Sequence, residues 1–367
     1  MIEIRSVQKR YPLQAGFFAR EDAWVYAVNG VSFDVRPGEI YGLVGESGCG
    51  KTTTARLLVR MERLSAGEIR LTRRDGTVYT LPGIDRDGLR GLRSMVRYIF
   101  QDPARSLNPR LTIREVLLSG YRYAPNWPGR ARAIEEAAAL LEDVGLNAGD
   151  LERRPADFSG GQRQRISIAR ALITRPEVLI CDEVVSALDV SIQGQILRLL
   201  LRLREERNLT MVFIAHDLAV VGYISDRIGV MYRGVLVEEA PAKELLHNHR
   251  HPYTDYLFRA IPTAPVAATG AVRPAGDTGT DRATTAAAGA SAAPAGPPPV
   301  AGTAAPEPSA ASAGPFSFAG TAAAEVPLFT RQADPTVNPV PDPALLEMEE
   351  IAPGHRVSRI FRDGRAR

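Results

Sequence analysis

The sequence predicts an α/β fold, a largely parallel sheet with helices packed on both faces. Three observations carry that prediction. Short apolar runs at Ile40–Val44, Val178–Cys181 and Met211–Ala215 read as fully buried strands. Helical patterns stand apart from them, over 130–146 (Ile134, Ala138, Leu141, Val144, closed by Gly145) and over Ile192–Glu206 (Leu197, Leu200, Leu201). The first run also feeds a glycine-rich loop and then a helix, an order that belongs to parallel, crossover-connected sheets.

Taken in order, Met1–Val7 alternates like a strand and lacks the apolar stretch of a leader peptide. Val31, Phe33 and Val35 alternate with polar residues, Pro37-Gly38 turns the chain, and Ile40–Val44 is the buried strand. Gly45-Glu46-Ser47-Gly48-Cys49-Gly50-Lys51-Thr52-Thr53 follows and fits G-x-x-x-x-G-K-[ST], whose backbone N–H groups cradle phosphates. Only three of the 45 Lys+Arg residues are lysines (Lys9, Lys51, Lys243), and one of them stands in this loop. A compact ammonium fits between phosphate oxygens where a planar guanidinium fork does not. From Thr52 a helix is expected to run through Ala55, Leu58, Val59 and Glu62, its N-terminus facing the loop.

The bulk numbers bound the answer less sharply. With 367 residues, 45% hydrophobic and a net charge of +3, the chain is of globular type and its charge argues for no nucleic-acid partner. Cys49 and Cys181 form no C-x-x-C pair, so a reducing compartment is expected. No apolar run approaches the roughly 18 residues that span a bilayer, so a membrane role is expected to come through a partner. Regular patterning fills residues 1–261, the expected globular domain. Residues 262–326 are dominated by Ala, Gly, Pro, Thr and Ser, too poor in large apolar side chains to offset chain entropy, and are expected to be a disordered linker. Residues 327–367 regain leucines and charge and are expected to form a short appended element.

Five features beyond the loop recur in one order. Gln101 follows the strand-like Val96–Phe100. Phe158-Ser159-Gly160-Gly161-Gln162 opens a helix with Ser159 as N-cap and free N–H groups. Val178–Cys181 ends on Asp182-Glu183, two carboxylates at a strand's carboxyl end. Ser186-Ala187-Leu188-Asp189 starts the next helix, and His216 follows Met211–Ala215. Singly, four of them have an ordinary structural reading: a turn-entry glutamine, a capped helix, a solvated strand end, a structural histidine. His247, His249 and His251 give H-x-H-x-H, read as two loop histidines and one of the following segment rather than as a metal site. The basic end (Arg356, Arg359, Arg362, Arg365, Arg367) reads as a solvated tail before a lipid contact.

Together the motifs resemble the ATP-binding subunits of ABC transporters over residues 1 to about 260. Phe100–Arg110, Leu188–Gln193 and His251-Pro252-Tyr253-Thr254 resemble the oligopeptide/dipeptide importer group. Phe17–Arg20 before Trp24–Val28, with Gly45–Lys51, is similar to the second of that group's two paralogous ATPases. The resemblance implies a P-loop ATPase domain with a RecA-like core, a helical signature subdomain and an antiparallel β subdomain.

It also implies roles. Tyr11 stacks on adenine. The N–H groups of Gly45, Glu46, Ser47, Gly48, Cys49 and Gly50, with Lys51, Thr52 and Thr53, bind the phosphates of ATP. Thr52, Gln101 and water-linked Asp182 hold Mg²⁺, Glu183 polarises the attacking water, and His216 contacts the γ-phosphate. Ser159, Gly160, Gly161 and Gln162 complete the ATP site of the opposite subunit. The implied setting is the cytoplasmic face of the cell membrane. The implied partners are permease subunits received around Gln101–Arg110, a paralogous ATPase (or a second copy) and, indirectly, an extracytoplasmic solute-binding protein.

Departures from the family pattern set further expectations. Val184 stands where proline is usual, so the turn after Glu183 is expected to be less rigid. The cysteine cluster that many relatives carry after His-Pro-Tyr-Thr has no counterpart, so no iron–sulfur centre is expected. The tail Ala352–Val357 still resembles the end of the family's C-terminal region. Two other readings remain open from sequence: a soluble ABC-type ATPase of translation or DNA repair, and a regulatory subunit that binds ATP without hydrolysing it. One phosphate loop with no heptad run weighs against the first, and retention of Glu183 and His216 against the second.

Overall fold

The computed structural model describes residues 1–12, 24–259 and 348–358. The sequence features at Phe17–Arg20, the 262–326 linker and Arg359–Arg367 therefore lie outside the described residues. The elements are β1 (Ile2–Pro12), β2 (Trp24–Val35), β3 (Ile40–Val44), α1 (Lys51–Leu58), β4 (Ala66–Thr72), β5 (Val78–Leu81), α2 (Arg86–Met95) and β6 (Val96–Ile99). A helical stretch follows: α3 (Pro103–Ser106), α4 (Ile113–Tyr121), α5 (Arg130–Asp143), two short 3₁₀ turns and α6 (Gly160–Leu172). Then come β7 (Val178–Asp182), α7 (Val190–Arg207), β8 (Thr210–Ile214), α8 (Leu218–Ile224), β9 (Arg227–Tyr232), β10 (Val235–Pro241), α9 (Ala242–Asn248), α10 (Pro252–Arg259), β11 (Met348–Ala352) and β12 (His355–Ser358).

Two sheets result. A four-stranded antiparallel sheet runs β2-β1-β4-β5, and an eight-stranded sheet runs β11-β12-β10-β9-β3-β8-β7-β6. Neighbours from β9 to β6 pair in parallel, while β10, β12 and β11 extend the sheet antiparallel. The central strands show why their sequences read as continuous apolar runs. All five residues of β3, β7 and β8 are buried. Strand alternation sends Ile40, Leu179, Met211 and Phe213 into one core with α4–α7, and Tyr41, Ile180, Val212 and Ile214 into another with β1, β2, α1 and α2. The helical stretch α3–α6 is the insertion between β6 and β7, and it carries the predicted signature segment. Among the described residues, no helix is long and apolar enough to cross a membrane.

Three sequence expectations need correction. The helix after the loop stops at Leu58 rather than reaching Glu62, because Arg60 turns left-handed (φ 57°) and the Met61 N–H returns to the Arg56 carbonyl. Glu62 instead pairs with Lys9 at 3.0 Å. His247 lies on α9, not on a loop. Arg356 is no part of a solvated tail: β11 and β12 form a hairpin that extends the sheet beyond β10, where Arg356 pairs with the buried Glu239.

Candidate active site

The loop between β3 and α1 is shaped by how closely backbone can approach it. At Gly45 (φ +148°) a Cβ would sit 2.2 Å from the Met231 carbonyl oxygen, and at Gly50 (φ +107°) 2.2 Å from that of Ala27. Any side chain at either position would push the loop off the sheet, so glycine is required on both steric and dihedral grounds. Glu46, Ser47 and Gly48 are exposed at the tip, whereas Cys49, Gly50 and Lys51 are buried and Thr52 and Thr53 half-buried.

Lys51, 5% exposed, curls back into the loop. Its Nζ donates to the carbonyls of Gly45 (2.7 Å) and Glu46 (2.8 Å) and lies 3.6 Å from Cys49 Sγ. Burial pushes the Cys49 thiol up, outweighing the downward pull of the Lys51 ammonium. Cys181 is pushed up to about 12 by burial, with Asp182 adding to it. Both cysteines are free and buried, so they pack as small apolar side chains.

The carboxyl ends of β3, β6, β7 and β8 meet here, where ligands bind in parallel sheets. Thr52 Oγ1 donates to Asp182 Oδ1 at 3.1 Å, and the Tyr98 hydroxyl donates to Asp182 Oδ2. Burial and the neighbouring Asp182 charge raise the Tyr98 phenol, keeping it a donor. Gln101 Nε2 donates to Glu183 Oε2 at 2.6 Å, and His216 Nδ1 lies 3.9 Å from the same oxygen. Thus Lys51, Thr52, Gln101, Asp182, Glu183 and His216 share one end of the sheet.

Glu183 adopts a left-handed φ of 47°, a conformation that costs a non-glycine residue about 1–2 kcal/mol. It is held there by its N–H to the Ile214 carbonyl (2.9 Å) and by Ser186, whose Oγ donates to the Glu183 carbonyl at 2.9 Å. Val184 and Val185 are each 2% exposed. The turn expected to be less rigid is therefore packed and doubly hydrogen-bonded.

Two predicted groups stand apart. Tyr11 is near the end of β1, half-buried, with Lys9 Nζ 4.7 Å from its ring centroid, so one face already carries a cation. Ser159 caps α6: its Oγ accepts from the Gln162 N–H (3.3 Å) and Gln162 Oε1 accepts from the Ser159 N–H (2.9 Å). Gly161 lies against α7, where a Cβ would meet Ile192 Cγ2 at 2.7 Å. No hydrogen bond between described residues joins Ser159–Gln162 to Gly45–Thr53, and Ser159 and Gln162 are exposed.

Sequence reasoning missed two tyrosines. Tyr98 stands in the strand preceding Gln101, and nothing local marks it. Tyr253 comes from the His-Pro-Tyr-Thr segment, and its hydroxyl accepts from the Glu46 N–H of the loop at 3.1 Å.

Comparison with known proteins agrees with this arrangement. Residues 28–186 match the ABC transporter family, and residues 237–287 match the oligopeptide/dipeptide transporter C-terminal region. Oligopeptide transport ATP-binding protein AppF of Bacillus subtilis (strain 168) is 45% identical over 263 residues, 71% of this chain and 78% of AppF. OppF of the same organism is 46% identical over 271 residues, 71% and 82% of the two chains. Glutathione import ATP-binding protein GsiA of Escherichia coli (strain K12) is 46% identical over 265 residues, 72% of this chain but 41% of GsiA. The dimeric structure of MJ0796, a bacterial ABC transporter cassette, superposes with a TM-score of 0.57 at 28% identity, covering 66% of this chain and 99% of that one. Its post-hydrolysis state bound to ADP and Pi gives a TM-score of 0.56 at 27% identity over the same shares. The chain belongs to the ABC transporter ATPases, in their oligopeptide/dipeptide group.

Proposed function

We propose that this chain hydrolyses ATP to drive uptake of peptides or a related solute through separate permease subunits, from the cytoplasmic face of the cell membrane. The observation that carries the reading is the meeting of Lys51, Thr52, Asp182, Gln101, Glu183 and His216 at one end of the parallel sheet. It is supported by the relatives' names and by the dimeric cassettes of like fold.

Each residue has a task in phosphoryl transfer, where catalysis is mostly positioning and charge stabilisation. The loop N–H groups and the N-terminus of α1 receive phosphate oxygens, and Lys51 exchanges the Gly45 and Glu46 carbonyls for them. Tyr11 offers its free face to adenine. The facing oxygens of Thr52 and Asp182, with Gln101 nearby, suit a small hard cation such as Mg²⁺ that retains water ligands. When bound, that ion supplies neutralising charge at the β- and γ-phosphates. Glu183, aimed by Gln101, accepts a proton from the attacking water, and His216 steadies the γ-phosphate. Ser159–Gln162, with Ser159 and Gln162 exposed and the segment unjoined to the chain's own loop among the described residues, serve the ATP of a second ATPase subunit, paralogous or identical.

The permease contact is supported by a groove of about 280 Å³ bordered by Met61, Arg93, Arg97, Phe100 and Arg170. Burial lowers the pKa of both Arg97 and Arg170, and neither meets a carboxylate among the described residues. A partner helix carrying an acidic side chain would supply what they lack. Purification from membranes tests the whole reading. Co-isolation with hydrophobic permease subunits, and ATP-driven solute uptake by that complex, is the expected result. A soluble ATPase without such partners would overturn it.

A further inference from the structure

We infer that Tyr253 is a positioning residue of the phosphate loop, holding the Glu46 peptide from outside the nucleotide site. The inference rests on reading Gly45–Thr53 as the phosphate loop.

The Glu46 backbone is held at both of its polar groups. Its N–H donates to the Tyr253 hydroxyl at 3.1 Å, and its carbonyl accepts from Lys51 Nζ at 2.8 Å. The preceding Gly45 has a φ of +148°, in a region open to glycine alone, so the Gly45–Glu46 peptide has little intrinsic resistance to rotation. A rotated peptide would carry away the Gly45 carbonyl, one of the two that locate Lys51. An acceptor fixed opposite the Glu46 N–H prevents that rotation, and Tyr253 is such an acceptor.

Tyr253 is itself firmly held. It is 7% exposed at the start of α10, and its ring packs against Tyr232 with centroids 4.3 Å apart. Its N–H donates to His251 Nδ1 at 3.1 Å. Burial raises the phenol above its ordinary range, so the hydroxyl stays neutral. Just upstream, the Arg250 and His251 N–H groups donate to the two oxygens of Glu238, at 2.7 and 3.1 Å. Glu238 is fully buried on β10, and its Oε1 also lies 2.7 Å from Nε2 of the buried His355 on β12. The returning C-terminal hairpin thus closes on the carboxylate that pins the start of α10. A continuous line runs from His355 through Glu238 and the 250–251 backbone to Tyr253 and the loop.

Tyr253→Phe tests this, because it removes the hydroxyl and keeps the ring against Tyr232. In the full chain, with ATP and Mg²⁺ as the probe, nucleotide affinity is expected to fall about three- to ten-fold, the worth of one neutral hydrogen bond. Turnover at saturating ATP should stay within about two-fold, since the bond is equally present before and during the reaction. Amide hydrogen exchange at Glu46 should speed up while that of β7 and β8 stays unchanged. Lys51→Ala is measured alongside. If Lys51→Ala abolishes binding and Tyr253→Phe binds like the parent, the role of Tyr253 is refuted and the phosphate-loop reading stands. If Lys51→Ala also binds like the parent, both fall together. A lower melting temperature with unchanged affinity would assign Tyr253 to packing alone and overturn the inference.

Discussion

Gln101 donates a 2.6 Å hydrogen bond from Nε2 to Glu183 Oε2, joining the segments that leave β6 and β7. The bond fixes one carboxylate oxygen and orients the other, which suits the general-base role proposed for Glu183. Glu183→Gln retains shape but cannot accept a proton. Nucleotide affinity is expected to persist while ATP turnover falls about 10²–10⁴-fold. Equilibrium binding and phosphate release, measured on the same preparation, check both halves. Normal phosphate release by the variant would rule out the catalytic role proposed for Glu183.

The groove arginines test the proposed permease contact apart from the chemistry. Arg97 Nε donates to Thr174 Oγ1 at 2.8 Å and Arg170 donates to the Ser106 carbonyl, so each is held in place with no acidic partner among the described residues. Replacing both with glutamine should leave ATP hydrolysis by the permease-free ATPase subunits within about two-fold, because neither touches the loop, Asp182 or Glu183. ATP-driven uptake by the assembled transporter should fall at least about ten-fold, the loss of one or two charge-assisted contacts. Undiminished uptake would place the permease elsewhere.

What was legible in the sequence follows from how local each signal is. The strands β3, β7 and β8 are buried on both faces, so their apolar runs could be read without knowing their neighbours. The phosphate loop and the Ser159 cap are set within a few residues. Tyr98 to Asp182, Tyr253 to Glu46 and His355 to Glu238 span 84, 207 and 117 residues. Such partnerships are created by sheet order, which no local pattern contains. The end of α1 was overrun because Val59 and Glu62 continue a helical spacing, whereas the left-handed turn at Arg60 reflects Lys9 capturing Glu62 from another strand.

Arg227 joins the two sheets electrostatically. Its guanidinium meets Glu239 at 2.5 Å, Glu39 at 3.2 Å and Asp34 at 3.4 Å, beside the Tyr41 ring. Burial raises the Glu239 pKa against the pull of Arg356 and Arg227. Arg227→Met removes the compensating charge and leaves buried carboxylates behind, at a cost of about 3–5 kcal/mol. A lowered urea midpoint with an unchanged slope checks this. A midpoint like the parent's would show that Arg356 alone suffices for Glu239.

His251 sets a pH dependence of stability. It is 1% exposed, and burial depresses its pKa from 6.5 to about 4, with the Glu238 charge opposing. Between those values the unfolded chain binds more protons than the folded one, so stability rises with pH across that window. The contribution is complete above pH 6.5 and is lost as pH falls towards 4, by up to about 3 kcal/mol. Carboxylate titration affects parent and variant alike, so the comparison isolates the histidine. Against His251→Asn, which does not titrate, the parent's unfolding free energy should fall more steeply between pH 6.5 and 4.5. Parallel curves would mean that the buried imidazole is not the group taking up the proton on unfolding.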